Sequence, residues 1–337
     1  GEHMARNAAL AVAAVEAFLG AHPLNPEIIV EGLGSVEAPA RLELARTSPP
    51  IVIDTAHNPQ AARATVDALA ESYDFDPVVG VVAMMQDKDA DAVLEIFREA
   101  MDQVVNQAAK LHFMVGGQAE VPLVIRAPGG SGTGAAAQHS QSLEAWFAHV
   151  PGLKVVMPSN ATDAGSLLLA ALDDPNPVLV LEHKLLYKQS FEVPAEFPKA
   201  RLGEGRIERE GTDLTIVATS VEVQRSVQAA EQLAEQGISA EVIDPRTIKP
   251  LDVPLILQSV SRTGRVLLVQ EAPKFAGFMA EVAATIAESE VFGDLQAPIR
   301  RLCGLDTPIP YSPTLEKASV PQVDDIVREA AALVGEW

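Results

Sequence analysis

Two short stretches carry the residue types that chemistry needs. GGSGTG at 129–134 runs into AAQHSQS at 136–142, so a glycine-rich loop delivers His139 to the start of an amphipathic segment, QSLEAWFAHV. An imidazole titrates near neutrality and can donate or accept a proton as charge develops on a reacting group. Read from the residues alone, a lone histidine after a loop serves equally as a surface or helix-capping group. Consecutive amides in a glycine-rich turn can wrap an anion such as a phosphate. GGSGTG lacks the strand, turn and acidic residue of a dinucleotide fingerprint, so it is expected to be a loop of unusual backbone angles, not a phosphate cradle. Ser140 and Ser142 are of the type that caps a following helix.

A second group, Asp54, His57 and Asn58 in IVIDTAHNPQAA, leaves the carboxyl end of a strand-like run, where open α/β sheets place their sites. Acid–base or ligand chemistry fits it, and so does a loop with no remaining role. Lys274, Glu271 and Arg246 fall on strand ends and loops of the last third, and ion pairing at a domain or subunit contact is a sufficient role for them. His112, His149 and His183 have no metal-like spacing.

The elements that must position these residues alternate between strand-like apolar runs and helical patterns, the mark of an α/β chain built on parallel sheets. In the last third, TDLTIVATS, ISAEVID, RVLLVQE and APIRRLCG read as strands, with helices over VEVQRSVQAAEQLAEQG, VPLILQSVSRTG, AGFMAEVAATIAESE and PQVDDIVREAAALVGEW. That is a doubly wound domain from 206 to 337, preceded by a charged, proline-bearing linker at 191–205. In the middle third, strands are expected at VPLVIR, LKVVMPS and PVLVLEH, with a helix NATDAGSLLLAALDD capped by Ser159 or Asn160. Further strands are expected at 51–53 and 78–84, and a long helical pattern runs from Asp89 to Gly116. Residues 1–4, GEHM, read as an expression-tag remnant.

A formal net charge of −21 argues against nucleic acid and anionic membranes as partners. Cys303 is the single cysteine, which excludes an intrachain disulfide and suits a reducing cytoplasm. No apolar run reaches membrane-spanning length, and no secretory signal leads the chain.

From about Met101 onward the chain resembles the beta subunit of the thiamine-diphosphate-dependent first component of 2-oxo acid dehydrogenases, of the pyruvate, branched-chain and acetoin type. DQVVNQAAK, VPLVIRAPGG, AAQHSQSLEAWFAHVPGLKVVMPSNATDA, DDPNPVLVLEHKLLY, EVIDPRTIKPLD, GRVLLVQEAP and DTPIPYSPTLEKASVP carry the likeness. It implies a partial pyrimidine-binding-like domain over 101–190 and a transketolase C-terminal-like domain over 206–337. It implies that His139 is catalytic, facing the cofactor and assisting acyl transfer to a lipoyl arm. It also implies thiamine diphosphate and magnesium held with an alpha subunit, a lipoyl acyltransferase partner, self-association, and a monovalent cation, possible K+, at Leu123, Ala171, Leu172, Asp174 and Asn176. The family's N-terminal quarter, with the glutamate that activates the cofactor, has no match here, so the chain alone is expected to be inactive.

Residues 5–100 instead resemble the C-terminal domain of folylpolyglutamate synthase, of the Mur ligase superfamily, through ARNAALAVAAVEAFLG, APARLELA, IVIDTAHNPQAA and VVGVVAMMQDKDADAVL. By that resemblance Arg41, Asp54 and His57 would line a ligase cleft, although Ala40 and Thr55 stand where the family has glycine. An ATP-dependent amide ligase also needs a G-x-x-x-x-G-K-[ST] loop, which the chain lacks. The two likenesses meet inside the long helical pattern, which suggests a chimera: a hybrid α/β N-terminal part, three layers on a mostly parallel sheet, followed by the doubly wound domain. An inert chimera and a truncated chain with a fortuitous front match are the other readings. A continuous hybrid sheet requires the strands at 51–53 and 78–84 to lie beside the strand at 121–125.

Overall fold

The computed structural model describes residues 2–20, 22–34, 43–47, 50–53 and 103–335. The chain divides into two compact units, the first over 1–78 and 85–100 and the second over 79–84 and 101–337. In the first, helix α1 (Glu2–Phe18) is followed by α2 (Pro26–Gly34). The start of α2 is specified locally: Pro26 opens it, and the Asn25 side chain accepts a hydrogen bond from the Glu27 amide. Strands β1 (Glu43–Thr47) and β2 (Pro50–Ile53) pair antiparallel. The expected strand at 51–53 is therefore present, but it pairs with β1 in a two-stranded sheet and not with the strand after residue 121. The expected strand at 78–84, and Arg41, Asp54, His57 and Asn58, lie outside the described residues.

The second unit starts with a π-helical turn at Gln103–Ala108 that passes into α3 (Ala109–Met114). Gly116 and Gly117, both at positive φ, end it where the sequence places the stop. Then follow β3 (Val124–Gly129), α4 (Ala136–His139), α5 (Glu144–Ala148), β4 (Lys154–Val156), α6 (Ala161–Leu172) and β5 (Val178–His183). Asn160 caps α6 by accepting from the Asp163 amide. The sheet order is β3-β5-β4-β9, with β3, β5 and β4 parallel. The expected strand VPLVIR lies three residues later, because Val121 is held by the Pro175 carbonyl and the ladder with β5 opens only at Val124. Residues 189–205 form no helix or strand and are largely exposed, with Ala200 and Leu202 packed against the core of the four-stranded sheet.

The chain continues through β6 (Arg206–Arg209), β7 (Leu214–Ala218), α7 (Val221–Glu235), β8 (Ala240–Asp244), β9 (Thr247–Lys249), α8 (Val253–Thr263) and β10 (Val266–Pro273). It closes with α9 (Phe278–Ala287), β11 (Arg300–Gly304), α10 (Pro313–Ala318) and α11 (Val323–Gly335). The five-stranded sheet runs β11-β10-β7-β8-β6, parallel except for the β6 edge. Alternation along β7 sends Leu214, Ile216 and Ala218 to a core shared with α7 and α11, while Val217 faces the opposite core with Ile256, Val260, Met279 and Ile286. Helices thus cover both faces, as the alternation predicts.

The second core also takes in Val155, Leu179, Leu181 and Ile248, so the two sheets bury apolar side chains together. Strand β9 leaves the five-stranded part and pairs antiparallel with β4. Its three residues, Thr247–Lys249, are too few to show a period, which is why the sequence pattern does not reveal it.

Candidate functional site

The carboxyl ends of β3 and β5 lie side by side, with Gly129 opposite His183. The glycine loop leaves from this edge, where parallel sheets present their sites. Gly130, Gly132 and Gly134 all take positive φ, which confirms the loop of unusual backbone angles. Its amides do wrap anions, but the anions are the chain's own. Ser131 N–H donates to Glu271 Oε1 at 2.6 Å. Gly132 and Gly134 donate to the two oxygens of Glu316, at 2.7 and 3.1 Å. Glu271 stands on β10 and Glu316 on α10, and both are buried.

Glu271 also receives the Ser142 hydroxyl at 3.2 Å and meets the His183 Nε2 at 2.9 Å through its other oxygen. Burial pushes its carboxyl up, but the hydrogen bond and charge of His183 and the Ser131 amide outweigh that and hold it below the usual carboxylate range. Glu271 stays ionised in the buried site. Its side-chain partners are thus Ser142 and the His183 ring, each through a hydrogen bond. Arg246 pairs with Asp163 at 2.8 Å.

His139 ends α4, partly exposed, and its carbonyl accepts from the Lys184 ammonium. Burial, then the Lys184 charge, push the imidazole below its ordinary pKa, so at neutral pH it is the uncharged form, able to donate and accept. A cleft of about 410 Å³ opens beside this segment, bounded by Ala137, Ser140, Leu143, Glu271, Leu305 and Ile309. Ser142 binds Glu271, and no side-chain cap hydrogen bond is made at the start of α5, where Leu143 is the capping residue.

Glu144, at the start of α5, is buried, and burial pushes it up to about 7, with Glu271 adding to the rise. Asp244 is pushed up to about 7 and Glu222 to about 8, burial being the main cause in both. The folded protein therefore keeps protons that the unfolded chain releases near pH 4, and stability from these groups is present at low pH and lost as pH rises through 7 to 8. The melting temperature is expected to fall between pH 6 and pH 9, and Glu144→Gln to flatten that fall by on the order of 1 kcal/mol. Thermal unfolding across that range checks it, and an unaltered slope in the variant would contradict it.

Of the residues expected at a monovalent cation, Leu123 directly precedes β3, Ala171 and Leu172 end α6, and Asp174 and Asn176 lie in the turn after it. Val121 N–H reaches the Pro175 carbonyl, which sets the start of β3 against the turn after α6. The Leu123 carbonyl accepts from Val178 N–H, and the Ala171 carbonyl, next to Leu172 at the helix end, accepts from Asp174 N–H. Both oxygens of Asp174 are engaged by the Lys154 ammonium, and one also accepts from the Asn176 amide. Asn176 Oδ1 is a buried acceptor without a partner. A cation would be held by that oxygen and by carbonyls, since the Asp174 carboxylate is already neutralised.

Asp163, Glu208 and Asp244 converge within 4.8 Å, the sole such cluster with metal-ligand spacing among the described residues. Arg206 and Arg246 fill it with positive charge, so it is an ion-pair network. No spacing in the sequence marks the cluster, because it forms across α6, β6 and β8. No helix among the described residues is long and apolar enough to cross a membrane.

Comparison with known proteins agrees with this geometry. Residues 89–189 match the transketolase pyrimidine binding domain, and residues 203–326 match the transketolase C-terminal domain. The pyruvate dehydrogenase E1 component subunit beta-2 of Oryza sativa is 48% identical over 236 residues, 69% of this chain and 62% of the relative. The chain thus spans just under two thirds of that relative's length. The corresponding subunit of Rickettsia felis is 45% identical over 68% of this chain and 70% of its own. The beta subunit of the Bacillus subtilis acetoin:2,6-dichlorophenolindophenol oxidoreductase is 45% identical over 70% and 68%. A solved structure described as a split gene transketolase, inactive beta4 tetramer, shares the fold, with a TM-score of 0.58 at 21% identity over 71% of this chain and 73% of that one. Both matched domain families start at or after residue 89 and lend nothing to the ligase-like or chimeric reading of residues 5–100. The chain belongs to the family of pyruvate dehydrogenase E1 beta subunits and their acetoin-oxidising relatives, built on transketolase-type domains.

Proposed function

We propose that this chain is the beta-subunit component of a thiamine-diphosphate-dependent 2-oxo acid dehydrogenase, working with an alpha subunit and passing its acyl product to a lipoyl acyltransferase. The observation that carries the reading is the setting of His139, a neutral, partly exposed imidazole fixed at the carboxyl edge of a parallel sheet. Thiamine diphosphate, when bound, supplies the stabilisation of negative charge that decarboxylation of a 2-oxo acid requires. The described residues do not fit its diphosphate end. The amides that would cradle a diphosphate are taken by Glu271 and Glu316, and further negative charge there is repelled. Diphosphate and magnesium therefore belong to the alpha subunit, and no step is assigned to them on this chain.

The chain's own part is to place His139. Its uncharged imidazole can hand a proton to an oxygen of the substrate or take one back, and Lys184 holds the backbone from which it projects. A monovalent cation at Asn176 Oδ1 and the carbonyls of Leu123, Ala171, Leu172 and Asp174 would be structural, tying the start of β3 to the end of α6. Exposed Trp146, Phe275, Tyr311 and Leu315 supply apolar surface for subunit contacts.

The test is reconstitution. Mixed with the alpha subunit of a relative, the chain is expected to form a complex that binds thiamine diphosphate, and by itself to bind none and to decarboxylate no 2-oxo acid. Turnover by the isolated chain, or no cofactor binding by the mixture, would overturn the reading.

A further inference from the structure

Three features outside the reaction scheme compete for a role: the Asp163 cluster, the cleft beside Ser140, and the two glutamates on the glycine loop. The first is filled by arginines, and nothing shows what would occupy the second. The third makes direct contacts that lead toward His139.

We infer that Glu316 and Glu271 are positioning residues for His139, acting as a two-carboxylate clamp from the C-terminal domain on the glycine loop of the pyrimidine-binding domain. This rests on the reading of His139 given above. The contact chain is short. Glu316 takes the amides of Gly132 and Gly134 with separate oxygens, and Glu271 takes the amide of Ser131. Gly134 leads through Ala135 into α4, whose last residue is His139. Lys184 closes the circuit: its ammonium binds the His139 carbonyl and lies within electrostatic reach of both carboxylates, and its amide donates to the Gly129 carbonyl at 3.1 Å.

The loop depends on this clamp. Glycines at positive φ leave a backbone with many alternatives in reach, and residues 130–134 make no helix or strand that would select one. Hydrogen bonds from backbone amides to carboxyl oxygens are directional, so three of them choose a conformer. Glu316 lies at the start of α10, and its side chain is 3% exposed. A carboxylate so buried would be costly unless bonded, and the loop amides of Gly132 and Gly134 bond it. Placement of the loop and docking of the C-terminal domain are thereby one event.

Amide hydrogen exchange of the full chain reads the clamp without any assay of activity. In Glu316→Ala, exchange across 130–139 is expected to rise at least ~10-fold, while 214–218 in the core strand keeps its protection. Glu316→Gln, which keeps one acceptor oxygen, is expected to recover most of the loop's protection. The His139 imidazole should report the loosening as well: in Glu316→Ala its NMR titration is expected to move back toward the ordinary histidine value, and in Glu316→Gln to keep most of its shift. Unchanged loop exchange in Glu316→Ala, or loosening of loop and core together, would overturn the clamp. Loosening of the loop with an unmoved His139 titration would overturn its positioning role. If the unsubstituted chain mixed with an alpha subunit binds no thiamine diphosphate, the proposed function fails, while the exchange result still decides whether the clamp exists.

Discussion

Replacing Gly130 by alanine is expected to destabilise the protein by roughly 3 kcal/mol or more, the sum of a left-handed backbone penalty of about 1–2 and an overpacking cost of about 1–3. Gly130 has φ of +82°, and a Cβ there would fall 2.1 Å from His183 Nε2 and 2.3 Å from its Cδ2. The ring cannot simply retreat, because Nε2 is bonded to the buried Glu271 and Nδ1 accepts from the Leu185 amide. Either the loop moves away from β5 or the His183–Glu271 pair breaks, and a buried carboxylate is then left without one of its partners. Gly134→Ala is the control. That glycine also has positive φ, +68°, but no atom lies within 4 Å of a Cβ placed on it. Its cost should be the backbone term alone, about 1 kcal/mol. Urea unfolding followed by circular dichroism compares the two, and equal costs would show that the approach to His183 does not matter.

Loss of the Asp163 carboxylate should cost about as much, ~3–5 kcal/mol for Asp163→Ala, because it leaves buried positive charge behind. Asp163 is 1% exposed and binds Arg206 at 2.7 Å and Arg246 at 2.8 Å, one through each oxygen. It also accepts from the Asn160 side chain at 2.8 Å. Arg206 retains Glu208, whereas Arg246, 11% exposed, is left with carbonyl contact to Glu204. The carboxylate sits in the first turn of α6 and its arginines belong to β6 and the turn after β8, so the pair clasps the two sheets of the second unit. Asp244 modifies the result. Burial is the main reason it is pushed up to about 7, and the Asp163 charge adds to the rise. Without Asp163 it ionises more readily and supplies a replacement charge, so the loss should be smaller at pH 8 than at pH 5.5. Thermal melts of Asp163→Ala and Asp163→Asn at both values test this, and a pH-independent loss would rule out the compensation.

The sequence by itself determined the alternation of strands and helices, because burial of one helical face imposes a period and burial of both strand faces a short continuous apolar run, and both can be read locally. It narrowed the cap of α6 to Ser159 or Asn160, and Asn160 is the one whose side chain satisfies an orphaned amide three residues away. It also marked GGSGTG as a loop of unusual angles and His139 as its cargo. What it left undecided was the partner of each of these features. Whether the loop's amides face a phosphate or a carboxylate depends on Glu271 and Glu316, which lie 140 and 184 residues from the amides they bind. The pairing of β2 with β1, the crossing of β9 to the other sheet and the Asp163 cluster likewise depend on which segments meet in space. A charge or an amide in the sequence shows only a need for a partner. Tertiary packing chooses that partner, because the low-dielectric interior makes an unmet need costly wherever the chain happens to close.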